Sequence, residues 1–280
     1  MARQTGESIK LLCQTLGVSR AGYYAHRHKP QRPRRVQDQK LVEQITPIFQ
    51  QGRRTYGSPR IHAALRRAGE RCGKNRVARL MRQEGLRAKQ KRRFRPQTTQ
   101  SQHGLAVAEN WLAKVPTPTR PNQIWVSDIT YLPTDEGWLY LAVILDACSR
   151  KVVGWHVDDR LETSLVTEAL KQARQRRGHA PGLLHHSDRG VQYASSAQRA
   201  LLANYHITAS MSRKGNCYDN ALAESFFATL KTEAFTATAT STKDQTKRQL
   251  FDYIEAFYNT RRLHSALRYQ SPLEFENQLS

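Results

Sequence analysis

Hydrophobic positions are spaced differently in the two parts of the chain, and the first part has helical spacing. In Ser8–Leu16 the apolar residues recur three and four positions apart, which predicts a helix. A turn at 17–19 and a second helix over Arg20–His28 complete a helix-turn-helix outline. A second outline of this kind consists of further predicted helices over Gln39–Gln50, Pro59–Arg67 and Arg76–Glu84. Ser58 and Asn75 are the N-terminal caps predicted for its last two helices.

After residue 120 the pattern changes to short apolar runs rich in β-branched and aromatic residues. Ile124–Leu132, Trp138–Ala147 and Lys151–Val157 are predicted to be strands joined by short connections, hence an antiparallel meander. Alternating helices and strands follow, over Thr163–Arg176, Gly182–Ser187, Ser195–Asn204, Ile207–Met211, 219–233 and Gln245–Thr260. This order predicts an α/β domain with a mixed sheet, and it resembles the order of the ribonuclease-H-like fold.

Charge divides the chain near the same point. Residues 1–104 hold 25 Lys and Arg against 5 Asp and Glu, whereas residues 105–280 hold 20 against 18. A domain with charge this one-sided indicates a polyanionic partner. We predict nucleic acid rather than membrane, because no basic helix faces a large apolar stripe; the family resemblance described below implies that this nucleic acid is double-stranded DNA. We therefore expect a basic helical DNA-binding region at 1–104, a linker at 105–119 and the α/β domain at 120–280. The predicted DNA contacts in the basic region are Arg60, Arg66, Arg76 and Arg79.

Composition favours a cytoplasmic location. No apolar run has the length needed to cross a bilayer, and the first residues lack the apolar stretch of a secretion signal. The four cysteines are widely scattered, with no CxxC pair that would indicate a zinc ribbon. We expect them to be reduced structural thiols.

Three carboxylates fall at positions that can converge. Asp128 lies in the middle of a predicted strand, where Asp is normally disfavoured, and Asp188 directly follows another strand. Glu224 lies one turn into a predicted helix. Acids near a core need a partner, and a divalent metal is the natural one when three converge. The alternative is an ordinary strand-end ion pair, a turn Asp and a surface Glu, because the spacing from Asp188 to Glu224 proves little alone.

The surrounding strings carry a specific resemblance. WVSDITYLPT, LDACSRKVVGW, HHSDRGVQY, SRKGNCYDNALAESFFATLK and YNTRRLHSAL resemble bacterial insertion-sequence transposases with a retroviral-integrase catalytic core. The most similar group joins its B reading frame to an upstream A frame by frameshifting. Residues 54–88 resemble that family's helix-turn-helix-like module, and about 117–277 its integrase core. The resemblance implies a transposase that cuts element ends and transfers a 3′-hydroxyl into DNA.

The resemblance also implies the site. It assigns Asp128, Asp188 and Glu224 as catalytic residues and metal ligands of two Mg²⁺ ions about 4 Å apart, which Mn²⁺ can replace. One ion would activate water and later the 3′-hydroxyl, while the other would stabilise the leaving oxygen. Lys231 matches the basic residue that the family has near the scissile DNA, and a position seven residues after Glu224 shares its helix face. A merely solvated Lys231 is the alternative.

Other residues of these strings have more than one interpretation. His185 and His186 could be ligands, although a structural role at a strand end is favoured, and Asp146 is interpreted as a turn acid. The loop Ser212–Asp219 presents Arg213 and Lys214 as DNA contacts. For the C-terminal pattern, packing and DNA contact both stay open, and its residues are Tyr258, Asn259, Arg262 and His264.

Partners follow from the same resemblance. We expect a homo-oligomer on DNA, acting in a bacterial nucleoid, and fusion with or binding to an upstream A-frame product. The sequence departs from retroviral integrases in having no His/Cys zinc module, and it lacks the A-frame helix-turn-helix and leucine zipper. Two other functions stay open: an inactive DNA-binding relic or regulator, and a structure-specific nuclease of the same fold.

Overall fold

The structure is a computed structural model that describes residues 8–27, 33–89, 107–213, 221–235 and 241–279. Some predictions lie outside these residues, namely those for Lys214, for a helix start at Asp219 and for the first two residues of the linker at 105–119. Among the helices in the described ranges, none combines the length and the apolar character needed to cross a membrane.

In the described residues 8–27 and 33–89 the basic first part forms helices and no strand, as the hydrophobic spacing predicts. Helices α1 (Ile9–Thr15) and α2 (Arg20–Arg27) form the first helix-turn-helix outline. The Ser19 hydroxyl accepts a hydrogen bond from the Gly22 N–H at 2.9 Å and so caps the second helix. The second outline comprises α3 (Pro33–Gln51), α4 (Ser58–Arg67) and α5 (Lys74–Gln83).

The predicted caps of α4 and α5 were wrong by one or two residues. Gly57 and Gly73 are the capping residues, and Ser58 lies inside the first turn of its helix, as does Asn75. Pro59 occupies the first turn of α4, where its missing N–H costs nothing. Glycine serves at these positions because it is nearly as favourable as serine before a helix.

The α/β part contains one mixed five-stranded sheet. Its strands are β1 (Ile124–Thr134), β2 (Gly137–Asp146), β3 (Val152–Asp158), β4 (Leu184–Ser187) and β5 (Thr208–Met211). Their spatial order is β3-β2-β1-β4-β5, in which the first three strands are antiparallel and β1, β4 and β5 are parallel. The predicted α/β class and the antiparallel meander are confirmed.

Helices cover both faces of the sheet. The first three after the meander are α6 (Thr163–Arg177), α7 (Val191–Ala194) and α8 (Ser196–Asn204). The later ones are α9 (Ala221–Glu233), α10 (Lys243–Phe251) with its π-helical continuation Asp252–Tyr258, a 3-10 turn (Ser265–Leu267) and α11 (Pro272–Asn277). The sequence did not predict the short α7, the 3-10 turn or α11.

Alternating residues of β1 divide the core into two clusters. Ile124 and Val126 belong to a cluster that includes α9, whereas Trp125 points to the cluster of α6 and α8. Helices α3 to α5 contribute buried residues such as Phe49 and Leu65 to the α9 cluster. The basic helical part therefore packs on the same side of the molecule as the C-terminal helices.

Candidate active site

One predicted aspartate, Asp128, lies in β1, and the other, Asp188, directly follows the neighbouring strand β4. In the parallel pairing of β1 with β4, Val126 is the register partner of His186. Asp128 lies two residues further along β1, and Asp188 lies two residues after His186, directly after the end of β4 at Ser187. Adjacent strands are about 4.8 Å apart. On its other side Asp128 pairs with Val143 of β2. The pairing of β1 with β4, together with the effect of the Asp188 charge on the pKa of Asp128, shows that the two predicted acids lie near each other.

Backbone amides orient both aspartates. Asp128 Oδ1 accepts a hydrogen bond from the Ile129 N–H at 2.8 Å, and Asp188 Oδ1 accepts one from the Gly190 N–H at 2.9 Å. Gly190 approaches Asp188 closely, because a Cβ at this position would lie 3.0 Å from that same oxygen. A side chain at residue 190 would thus crowd the carboxylate.

The third acid approaches from a helix on the same face. Helix α9 packs on β1 through Phe226, Phe227 and Leu230, which are buried in the cluster that contains Val126. Glu224 lies in the first turn of α9 and is exposed. The packing of its helix therefore brings Glu224 to the sheet face from which Asp128 projects.

Electrostatic coupling joins these groups into one site. Burial raises the pKa of Asp128 well above its ordinary value, and the charges of Asp188 and Glu224 raise it further, whereas Lys231 lowers it. Lys231 is half-buried, and its own pKa is lowered by burial while Asp128 opposes that shift. Asp128 therefore feels the charges of the other three predicted site residues, Asp188, Glu224 and Lys231.

The chemistry of this donor set fits a divalent cation. Three carboxylates whose charges repel one another are stabilised by a hard cation, and Mg²⁺ and Mn²⁺ prefer oxygen ligands. Across the described ranges, no three His, Cys, Asp or Glu side chains are already grouped as a metal site. The fit rests on the type and charge of the donors.

A tyrosine beneath the acids is a residue that the sequence analysis missed. Ser127 Oγ is hydrogen-bonded to the Tyr193 hydroxyl at 3.0 Å and to the Val143 carbonyl oxygen at 3.1 Å. Burial raises the pKa of Tyr193 well above its ordinary value, and the charges of Asp128 and Asp188 add to the shift. Tyr193 ends the string HHSDRGVQY, but nothing in its sequence position indicates this contact.

The other acid and the histidines have packing roles. His185 and His186 are buried in β4, and His186 Nδ1 is hydrogen-bonded to Ser210 Oγ at 2.9 Å. Burial lowers the pKa of His185 to about 4. Asp146 accepts hydrogen bonds from the N–H groups of Asn122 at 2.6 Å and Ser149 at 2.8 Å, as expected for a turn acid.

The predicted DNA-contacting arginines divide into different environments. Arg76 Nε and Arg79 Nη2 both donate to the Asp38 carboxylate of α3, at 2.6 and 2.7 Å. Arg60 is half-buried, with its guanidinium 5.6 Å from the centre of the Tyr56 ring. The exposed ones among the described residues are Arg66 on α4 and Arg213, which follows β5.

The C-terminal pattern is packed inside the molecule. The side chains of Tyr258, Asn259 and Arg262 are buried, and His264 is at the margin of burial. Burial lowers the pKa of His264 to about 2, with further lowering from the charges of Arg262 and Arg60. Packing rather than solvent exposure therefore describes these four residues.

Comparison with known families identifies both parts of the chain. The family described as "Integrase core domain" matches residues 118–217, and a second family of the same description matches residues 205–272. The family described as "HTH-like domain" matches residues 36–94. These ranges correspond to the α/β part and to the basic helical part.

Whole proteins are similar over nearly the full length. The Insertion element IS600 uncharacterized 31 kDa protein of Shigella sonnei is 43% identical over 265 residues, covering 94% of this chain and 97% of its own. Transposase InsF for insertion sequence IS3A of Escherichia coli (strain K12) is 40% identical over 275 residues, covering 96% of this chain and 94% of its own.

Solved structures are more distant. A chain of the simian T-cell lymphotropic virus intasome in complex with PP2A regulatory subunit B56 gamma has a TM-score of 0.49 at 17% identity, covering 76% of this chain and 69% of its own. The HTLV-2 integrase catalytic core domain in complex with magnesium has a TM-score of 0.43 at 16% identity, covering 56% of this chain and 97% of its own.

Proposed function

The chain belongs to the integrase-core transposases of bacterial insertion sequences, and on that premise we propose that it cuts DNA at element ends and joins the 3′-ends to target DNA. The observation that carries this proposal is the coupling of Asp128, Asp188 and Glu224 into one electrostatic site beside Lys231. A cluster of carboxylates beside a lysine, in which the pKa of Asp128 is strongly raised, is typical of functional sites.

The proposed chemistry consists of two phosphoryl transfers. In the first, a water oxygen bonds to phosphorus and the P–O3′ bond breaks, which leaves a 3′-hydroxyl at the element end. In the second, that hydroxyl oxygen bonds to a target phosphorus and the target's own 3′-oxygen departs with a proton. The second step makes one phosphodiester bond for each one broken, so it needs no external energy source.

The chain's residues have distinct roles in this proposal. Asp128, Asp188 and Glu224 would hold the metal, and Lys231 would neutralise charge on the scissile phosphate. Bound Mg²⁺ or Mn²⁺ would supply Lewis-acid activation of the attacking oxygen and stabilisation of the departing one. Neither transfer requires a serine or tyrosine nucleophile, so we expect no covalent bond between protein and DNA.

The basic helical region would hold the DNA in this proposal. We propose the division into a DNA-binding region at 1–104, a linker at 105–119 and a catalytic core at 120–280. The exposed Arg66 and Arg213 are our foremost candidates for phosphate contacts, alongside Lys214. We further propose a homo-oligomer on DNA in the bacterial cytoplasm, and fusion with or binding to an upstream A-frame product.

The decisive experiment is a strand-joining assay. The full chain is incubated with a circular target and with donor duplexes taken from the DNA that flanks its reading frame, with and without Mg²⁺. We expect metal-dependent joining of the donor 3′-end to the circle. Cleavage without joining would identify a nuclease of the same fold, and binding without either reaction would identify a regulator or relic.

Conservative substitutions connect the reaction to the site. Asp128→Asn, Asp188→Asn and Glu224→Gln keep the side-chain size but remove a charge, so each should abolish cleavage and joining while DNA binding persists. Asp244→Asn is the matched control, because Asp244 is exposed at the start of α10. Near-normal joining by any one of the three variants would exclude that residue as a ligand.

A further inference from the structure

The C-terminal string YNTRRLHSAL contains a buried arginine that the proposed chemistry does not use. Arg262 Nε donates to Glu233 Oε2 and Arg262 Nη2 to Glu233 Oε1, each at 2.7 Å. The two side chains are only 6% and 5% exposed. This bidentate geometry is the strongest and most directional form of an arginine–carboxylate pair.

The partner of this arginine ends the helix that carries the site. Glu233 is the last residue of α9, nine positions after Glu224, which is about 13.5 Å along a helix axis. A carboxylate at a helix C-terminus opposes the helix dipole, so Glu233 depends on nearby cations and donors. The Tyr253 hydroxyl supplies a further hydrogen bond to Glu233 Oε2 at 2.9 Å.

The same turn is also held by the basic helical part. The Tyr56 hydroxyl, just before α4, accepts a hydrogen bond from the Leu263 N–H at 2.8 Å and donates one to the Arg261 carbonyl oxygen at 3.3 Å. The turn at 261–263 therefore contacts α9 on one side and the helix-turn-helix-like part on the other. Both contacts are directional, so a shift of this turn would move the end of α9.

We infer that Arg262 is a positioning residue that sets α9, and with it Glu224, relative to Asp128 and Asp188. The inference rests on the proposed function, because only that function makes Glu224 a metal ligand whose position matters. Direct DNA contact by Arg262 does not fit, since its guanidinium is buried and committed to Glu233. The competing explanation is that the pair only stabilises the fold.

A second buried ion pair supplies a matched control for that explanation. Arg177 Nη2 donates to Glu276 Oε1 at 2.5 Å, and these side chains are 14% and 9% exposed. This pair joins α6 to α11 and does not involve α9. Arg177→Lys and Arg262→Lys therefore make the same chemical change at similarly buried positions. Only Arg262→Lys alters a contact with α9, the helix that carries Glu224.

The test measures metal binding without relying on activity. Mn²⁺ is titrated into the full chain without DNA, and free Mn²⁺ is counted by electron paramagnetic resonance, below the melting temperature of every variant. We expect Arg262→Lys to raise the Mn²⁺ Kd about tenfold, which is the low end of the effect of losing a group that orients metal ligands, and Arg177→Lys to leave it at the wild-type value. Wild-type Mn²⁺ binding by Arg262→Lys, or equal weakening by Arg177→Lys, would overturn the inference.

Two further variants distinguish a failure of the proposed function from a failure of the inference about Arg262. Glu224→Gln must weaken Mn²⁺ binding if the proposed function is correct, so a wild-type Kd for this variant would overturn that function itself. If Arg262→Lys does not fold, Tyr253→Phe removes one hydrogen bond to Glu233 and keeps the ion pair. The inference then requires a measurably weaker Mn²⁺ affinity in Tyr253→Phe, and an unchanged affinity overturns it.

Discussion

Asn259 bonds to Val152 as a neighbouring strand would. Its side-chain oxygen accepts the Val152 N–H at 2.9 Å, and its side-chain amide donates to the Val152 carbonyl oxygen at 3.0 Å. Val152 begins β3, which is an edge strand of the sheet. Exposed strand edges tend to pair with other chains, and here a side chain after the π-helical segment occupies part of that edge.

Asn259→Asp tests this contact with a change of one atom. A carboxylate cannot donate to the Val152 carbonyl, so we expect the free energy of unfolding to fall by about 1–3 kcal/mol. Urea unfolding near neutral pH measures it. Asn75→Asp, at an exposed position in the first turn of α5, is the control, because a carboxylate there does not oppose the helix dipole. Equal stability of the two variants would mean that the Asn259 contact contributes nothing.

The strands and helices of the α/β part could be predicted because their signals are local. The apolar run Trp138–Ala147 needs no distant information to indicate a buried strand, and Asp128 stands out because a strand interior disfavours Asp. Contacts between distant residues leave no such signal. Tyr56 and Leu263 are 207 positions apart, and neither residue type indicates the other.

The same limit explains why the arginines looked alike in the sequence. Charge counts along the first 104 residues indicate DNA binding, but they treat Arg66 and Arg76 as equivalent. Only the fold brings Asp38 of α3 next to Arg76, because the two lie 38 positions apart. Arg66 stays exposed near the end of α4. The structure therefore separates a candidate phosphate contact from an internal ion pair.

Salt dependence of DNA binding distinguishes these two arginines. We expect Arg66→Gln to weaken binding of the full chain to random duplex DNA and to reduce the slope of log affinity against log salt by about 1. Arg76→Gln should leave that slope unchanged and lower the melting temperature, because it removes one of the two partners of Asp38. If only Arg76→Gln reduced the slope of log affinity against log salt, then Arg76 and not Arg66 would be the phosphate contact.

Acid should destabilise the protein through His264. Its pKa is about 2 in the fold, against 6.5 ordinarily, because burial and the charges of Arg262 and Arg60 disfavour the protonated ring. The unfolded chain therefore binds the extra proton first, so stability is complete above about pH 6.5 and is lost as the pH falls towards 2. From pH 7 to pH 5 this histidine should account for about 2 kcal/mol of lost unfolding free energy.

The substitution His264→Gln isolates that contribution. The substitution can change the stability at neutral pH by any amount. The free energy of unfolding should then decrease less between pH 7 and pH 5 than it does in wild type, by about 2 kcal/mol. Urea unfolding at both pH values gives the comparison. His179→Gln, at an exposed position, should keep the wild-type decrease. An unchanged decrease in His264→Gln would mean that the ring is already protonated in the fold.

Lys231 offers the sharpest test of the extent of the site. Its charge lies close enough to Asp128 to lower the pKa of that carboxyl, and it is half-buried on α9. A phosphate contact needs positive charge more than exact shape, so Lys231→Arg should keep most strand joining. Lys231→Ala should lose about 10- to 100-fold, since a hydrogen bond to a charged group contributes about 1.5–3 kcal/mol.

Two comparisons make the Lys231 result interpretable. Lys247→Ala removes the same charge from an exposed position on α10 and should join DNA like wild type. Melting temperatures exclude a folding defect, because alanine is favourable in a helix. If Lys231→Ala joins DNA as well as Lys247→Ala does at moderate salt, Lys231 contacts no phosphate in the reaction. Its position on the helix face of Glu224 would then be coincidental, and the site would consist of the three carboxylates.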